Sequence, residues 1–419
     1  MGQLHKKFQD HQVKELIQRY LSKEMERSYI QEILGIKKTR FFALVKKYKK
    51  DPDSFSIEYE RKGATRKISK DIEDSIMKEL EIEKKLIADP EVPLRSYNYS
   101  YIKDRIMSNY KQKVSTPTII DRAKKGGFYL KKSKRKAHDR EVLTNYVGEL
   151  IQHDSSHHKW SPYADKKWYL ITSIDDCSRY LLYYKLIERE TSWTHIEALE
   201  EVALKYGLAY SYYVDCHSIF RFVQGRDSFW RKHYKVTDEA DPQWKQVLQD
   251  LRVKLIYALS APAKGKIERP YRWLQDRIVR TCAREGIVDI CDAQKVLKAE
   301  TDRYNYKQIH STTGEVPYYR YKRKMENGES LFREFQIPKP YSSTKDVFAL
   351  RDERTVNAYR RISFNKLVIN ITGVPIRERV SLRIVPDFRS GMAEIRFWFK
   401  GELVSTYQVK NEDLNLPNF

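Results

Sequence analysis

Three carboxylates stand out of a strongly basic sequence. Asp154 lies in Ile151-Gln152-His153-Asp154-Ser155-Ser156-His157-His158. Asp215 lies in Tyr213-Val214-Asp215-Cys216-His217-Ser218, and Glu268 in Lys264-Gly265-Lys266-Ile267-Glu268-Arg269. A phosphodiester can be attacked in line by water or a 3′-hydroxyl when two divalent ions activate the nucleophile and stabilise the leaving oxygen. Mg²⁺ takes hard oxygen ligands and keeps positions open for water and substrate, so three acids suit a pair of Mg²⁺ ions, with Mn²⁺ as a substitute. Lys264, Lys266 and Arg272 surround Glu268 and could hold a nucleic-acid backbone beside such a site. His217 is a possible accessory group, able to orient water or a phosphate. Each acid also has a plain reading: Asp154 as a strand-end residue, Glu268 as an ion-pair partner of Arg272. The separations of 61 and 53 residues are not distinctive by themselves.

The charge points to a polyanionic partner. The 419 residues carry 80 Lys and Arg against 57 Asp and Glu, a net +23. Residues 1–150 hold a net +13, residues 151–250 a net −2 and residues 251–419 a net +12. Lys and Arg gain affinity for a phosphate backbone by releasing its condensed counterions. From Arg122 to Arg140 nine positive charges face Asp139 alone, a density beyond what solubility asks. The composition, 41% hydrophobic, rules out a fully disordered chain. Four cysteines, none in a C-x-x-C pair, offer no disulfide framework and no zinc module. No apolar run approaches the ~18 residues of a membrane span. A reducing cytoplasmic setting and no membrane partner are expected.

The elements that must position these residues follow from periodicity. Residues 1–52 read as a helix-turn-helix, with Gly35 at the turn and Ile33, Ile36, Phe41, Leu44 and Val45 as core face. Lys37, Lys38 and Arg40 open its last helix, where a recognition helix meets DNA. Residues 64–130 read as a second, winged-helix-like unit, with Ser115 as N-cap of a helix bearing Thr116, Thr118, Arg122, Lys124 and Lys125. Residues 131–147, with Lys131 and Lys132, form a basic tether. Residues 148–320 give three strands, then helix, strand, helix, strand and helix, an α/β order of ribonuclease-H-like type. Residues 320–345 read as a linker. Residues 345–415 hold short strands that suit a small β-barrel. The expected architecture is therefore multidomain: tandem N-terminal helix-turn-helix domains, an α/β ribonuclease-H-like core and a small C-terminal β-barrel. His153, His157 and His158 cannot converge from one strand, which argues against zinc. Trp230, Trp244 and Trp273 could stack on unpaired bases. Asp175 and Asp176 read as a turn pair.

The motifs around the three acids, together with Ile174-Asp175-Asp176, Leu274-Gln275-Asp276-Arg277 and Glu353-Arg354-Thr355-Val356, run in order along the chain. With them the sequence resembles bacterial insertion-sequence transposases with a retroviral-integrase-type DDE core, most of all the ISNCY-like group. The resemblance implies that Asp154, Asp215 and Glu268 are the metal-binding catalytic triad. It implies end recognition by the N-terminal domains, and double-stranded DNA, both terminal inverted repeats and target, as partner. It also implies a homo-oligomer that synapses two ends, an SH3-like fold for the C-terminal barrel and a bacterial, nucleoid-associated setting. The sequence departs from the family pattern in carrying a helix-turn-helix where a zinc module would stand, and Cys216 where a basic residue would follow Asp215. A catalytically silent DNA-binding regulator and a nuclease that cleaves without joining are the alternatives.

Overall fold

The computed structural model describes residues 4–58, 68–130, 144–214, 243–257, 268–364 and 367–414, with the backbone alone for 268–270. It divides into two compact units, residues 1–73 and 74–419.

In the first unit, α1 (Asp10–Leu21), α2 (Arg27–Leu34) and α3 (Lys38–Lys50) follow the predicted order. Gly35 ends α2 at φ +62°, a left-handed position where a Cβ would be strained. Val13, Ile17, Ile30, Leu34, Phe41 and Val45 are buried together, and Tyr20 meets Phe41 edge-on at 4.9 Å. Ile33, expected in this core, is 40% exposed, because Ile30 and Leu34 already occupy the inward i, i+4 positions of α2.

The second unit begins with α4 (Lys70–Ala88, its first turn lying in the first unit), α5 (Tyr99–Tyr110) and α6 (Thr116–Lys125). Ser115 caps α6 by accepting the Thr118 N–H, as its sequence predicts, and Pro117 sits in the first turn.

A five-stranded sheet follows: β1 (Ile151–His158), β2 (Trp168–Asp175), β3 (Leu181–Ile187), β4 (Ser211–Val214) and β5 (Lys254–Tyr257). The order is β3-β2-β1-β4-β5. β1 pairs antiparallel with β2 and parallel with β4; β2–β3 is antiparallel and β4–β5 parallel. This mixed α/β sheet matches the ribonuclease-H-like expectation. α7 (Ser192–Tyr206) and α8 (Gln243–Asp250) pack on one face around Ile151, Tyr212 and Trp244. α9 (Glu268–Glu285) and α10 (Ile290–Tyr306) cover the other through Leu274, Ile278, Leu297 and Tyr304.

The stretch expected to be a linker contains helical chain. α11 (Pro317–Glu326) is a ten-residue helix, and Leu331 and Arg333 bond to Val147 and Leu208 of the core. Its sequence is so charged that only Pro317 is buried, which hides the helix from a search for apolar periodicity. α12 (Thr344–Val347) leads into β6 (Leu350–Thr355), β7 (Arg361–Phe364), β8 (Leu367–Asn370), β9 (Arg379–Asp387), β10 (Met392–Phe399), β11 (Glu402–Lys410) and α13 (Asn411–Leu414). The described strands form a four-stranded antiparallel sheet, β11-β10-β9-β6, and a separate β7–β8 hairpin. Their apolar faces, with Ile362, Phe364, Leu382, Ile395 and Phe397, share one hydrophobic cluster with α7 and α8.

Candidate active site and its supports

Asp154 sits mid-strand on β1, 8% exposed. Side chains alternate along a strand, so Asp154 faces α9 and α10, while its neighbour His153 faces α7 and α8 and stacks on Trp244 at 5.3 Å. Across the ladder Asp154 pairs with Thr172. Thr172 Oγ1 donates to the phenolic oxygen of Tyr271 on α9 at 2.7 Å. Tyr271 stands three residues after Glu268, one helical turn on. The strand next to that of Asp154, β2, and the first turn of the Glu268 helix are thus joined by one buried side-chain bond, made at the position facing Asp154.

Asp215 and His217 lie outside the described residues, as do Lys131, Lys132, Lys264, Lys266 and Trp230. Val214, one residue before Asp215, closes β4, which runs parallel beside β1 with Gln152 opposite Tyr213. Glu268 is placed by its backbone at the head of α9. Among the described residues no three His, Cys, Asp or Glu side chains gather as a metal site, and of the expected trio only the Asp154 side chain is among them. Arg272, one helical turn beyond Glu268, is exposed on α9.

The other predicted contact residues fall on two helices. Lys37, Lys38 and Arg40 are exposed at the start of α3. On α6, Lys124 and Lys125 are exposed, while Thr116, Thr118 and Arg122 are half-buried. Thr118 is engaged in the N-cap, its hydroxyl 2.8 Å from that of Ser115. Asp121 binds Arg122 at 2.5 Å and Lys125 at 3.0 Å. Lys124 lies over the Tyr129 ring at 5.1 Å. Trp244 is fully buried, its indole N–H donating to the His195 carbonyl, so it packs the core rather than a base. Trp273 packs against Tyr304 and the Arg277 guanidinium.

Asp175 and Asp176 shape the turn after β2. Asp175 accepts from the N–H groups of Gly148 and Ser178, both at 2.8 Å, and burial pushes its carboxyl up to about 6. Asp176 is bound by Thr144, Gln152 and Arg179. The β1 histidines serve packing: His153 lies 2.8 Å from both the Ser173 hydroxyl and His195 Nδ1, and His195 Nε2 lies 2.9 Å from Glu190. Burial holds His153 well below the usual histidine range.

A charged seam that sequence reading missed fixes α9 from behind. Arg280, fully buried, is bound by fully buried Glu83 of α4, by Asp276 at 2.9 Å and by the Ser96 carbonyl. Arg284 binds Glu79 at 2.7 Å. Arg277 binds Asp104 of α5 at 2.5 Å and Glu300 of α10 at 2.6 Å. Burial pushes the Glu83 carboxyl up to about 7, against the pull of Arg280 and Arg284. The Tyr101 phenol meets the Thr281 hydroxyl at 2.9 Å, and Leu86, Val92 and Leu94 pack on Val279 and Ala283. The signal was present: Glu79 and Glu83 repeat at i, i+4 on a helix whose apolar residues share that face, as do Arg280 and Arg284. α9 is thereby clamped between the sheet and the helices α4 and α5.

No family model matches the chain. In sequence it is 28% identical over 254 residues to a Sinorhizobium fredii protein named as a transposase, y4bF, covering 60% of this chain and 50% of that one. It is 25% identical over 171 residues to the transposase for insertion sequence IS1202 of Streptococcus pneumoniae, covering 41% of this chain and 35% of that one. The chain thus aligns with about half the length of these curated relatives or less. Among solved structures, the magnesium-bound HTLV-2 integrase catalytic core domain overlaps 43% of this chain and 99% of its own, at 15% identity and a TM-score of 0.31. The simian T-cell lymphotropic virus intasome in complex with PP2A regulatory subunit B56 gamma overlaps 71% and 89%, at 13% identity and a TM-score of 0.34. In sequence, then, this chain is a relative of insertion-sequence transposases.

Proposed function

We propose that the chain is a DNA transposase of the ISNCY-like group. On this reading it binds the terminal inverted repeats of its element, cleaves phosphodiester bonds to expose 3′-OH ends and joins those ends to target DNA. The observation that carries the reading is the Thr172–Tyr271 bond, which ties the residue facing Asp154 on the neighbouring strand to the helix headed by Glu268. The kinship to transposases supports it.

Asp154, Asp215 and Glu268 are the proposed metal ligands. The donor chemistry fits: all three are carboxylates, and Asp154 offers hard oxygens from a rigid central strand. Two divalent ions, when bound, would stabilise charge on the attacking and leaving oxygens. The chain's own residues then supply position. Arg272, Lys264 and Lys266 hold the scissile backbone beside the acids, His217 orients the attacking oxygen, and the seam on α9 keeps Glu268 in register with Asp154. Lys37, Lys38 and Arg40 on α3, residues of α6 from Thr116 to Lys125, and Lys131 and Lys132 grip the terminal repeats. Acting on two ends requires a homo-oligomer in the synaptic complex.

The test uses the full chain, Mg²⁺ or Mn²⁺, and labelled DNA carrying the regions that flank its gene, with Glu268→Gln and Asp154→Asn alongside. Metal-dependent nicks at a defined end and joined products, both lost in the variants, are expected. Tight binding without cleavage under either metal would assign the chain to DNA-binding regulators. Cleavage without joined product would assign it to nucleases.

A further inference from the structure

The terminal sheet ends in β6, and the first turn of α8 covers its edge. Gln243 Nε2 donates to the Arg351 carbonyl at 2.9 Å, and its Oε1 accepts the Arg351 N–H at 2.6 Å. Beside this junction opens a cavity of about 610 Å³ lined by Gln246, Asp250, Arg351, Glu353, Ser381 and Arg383.

Two cations oppose each other here. Arg351 of β6 and Arg383 of β9 are cross-strand partners, an arrangement of like charges that destabilises a ladder unless something offsets it. The Arg351 side chain is only 9% exposed. Its Nη2 donates to Asp250 at 2.8 Å and to the Val347 carbonyl at 3.1 Å. Its Nε and Nη1, and the Nε of Arg383, are buried without a hydrogen-bond partner among the described residues. Arg383 is held by the Tyr341 hydroxyl and lies over the Tyr341 ring at 5.1 Å. Burial and the neighbouring Arg383 pull the Arg351 guanidinium down to about 10. The nearby acids are already engaged: Asp250 with Arg351, Glu353 with Arg379 at 3.7 Å, and Asp352 with Arg354 at 2.5 Å. Unsatisfied buried donors of this kind are costly, and guanidinium forks match tetrahedral oxyanions.

We propose that Arg351 and Arg383 form a binding site for a phosphate-class oxyanion, taken either from a free phosphate compound or from one phosphodiester of a nucleic acid. The inference does not depend on catalysis at Asp154.

Titration calorimetry of the full chain with inorganic phosphate, at ionic strength fixed with chloride, tests it. One saturable site is expected, weakened roughly tenfold or more in Arg383→Gln, which removes a charge-assisted hydrogen bond. Ser381→Glu guards against a variant that fails to fold. It sets a carboxylate on the Arg383 face of β9, two residues away, and is expected to abolish phosphate binding while raising Tm in phosphate-free buffer. A short duplex of arbitrary sequence distinguishes the sources. Displacement of phosphate by the duplex identifies a phosphodiester, and phosphate binding indifferent to the duplex identifies a free phosphate compound. Absence of saturable phosphate binding, or binding unchanged in Ser381→Glu, overturns the proposal.

Discussion

Thr172 and Tyr271 share a buried hydrogen bond of 2.7 Å, and Thr172 is the residue directly opposite Asp154 in the β1–β2 ladder. The bond connects a central strand to a helix more than ninety residues further along the chain. Tyr271→Phe removes the acceptor and leaves the Thr172 hydroxyl buried at 2% exposure. A loss of about 1–3 kcal/mol in urea unfolding is expected for a stranded buried donor. If the bond aligns Glu268 with Asp154, the cleavage rate on end DNA falls as well, while affinity for that DNA is unchanged. Full cleavage by the destabilised variant would show that the bond serves stability alone.

Much of this arrangement was legible in the sequence. The apolar runs of β2 to β5 and the periodicity of α7 and α10 gave the sheet-and-helix order, because buried faces impose period 2 or 3.6. The turn at Gly35 and the cap at Ser115 were legible because their chemistry is local. β6 was not foreseen: Leu350-Arg351-Asp352-Glu353-Arg354-Thr355 holds one apolar residue, and its pairing with β9 is decided by tertiary packing. α11 was missed for the same reason. The pairings of the seam on α9 are not legible in the sequence, because Arg277 and Arg280 are buried against acids from helices distant along the chain. Of the candidate site, the place of Asp154 on a central strand was readable; Asp215 lies outside the described residues.

The seam itself predicts a double-mutant cycle. Arg280→Met leaves the fully buried Glu83 carboxylate with Arg284, 3.8 Å away, as its remaining cation among the described residues. A loss of about 3–5 kcal/mol is expected, as for other broken buried pairs. Glu83→Leu with Arg280→Met removes both charges, and the double variant should be more stable than Arg280→Met alone. Additive losses, measured by urea unfolding, would contradict a direct coupling of the two residues.

Acid should weaken the core through His153. Burial keeps its folded pKa well below the ordinary value, so the folded protein holds it neutral. The unfolded chain protonates it near pH ~6.5. Its contribution is therefore complete above that pH and is lost as pH falls below it, with a slope of up to about 1.4 kcal/mol per pH unit. His153→Gln keeps hydrogen-bonding capacity and removes the titration. Unfolding free energies between pH 8 and 5.5 should then fall less steeply in the variant than in the parent.

Salt dependence separates the two proposed grips on end DNA. Lys37, Lys38 and Arg40 are exposed on α3, and no ion pair engages them among the described residues, so their charges are available to a backbone. Arg122 and Lys125 on α6 are instead held by Asp121, and DNA binding there must first compete with that carboxylate. Replacing Lys37 and Lys38 by Ala should weaken end-DNA binding and reduce the slope of log K against log salt by about 1.8, near 0.9 for each phosphate no longer neutralised. Asp121→Asn frees the α6 cations and should strengthen binding with a steeper slope. A slope unmoved by the α3 double substitution would remove that helix from the DNA interface and leave α6 and the basic tether to carry it.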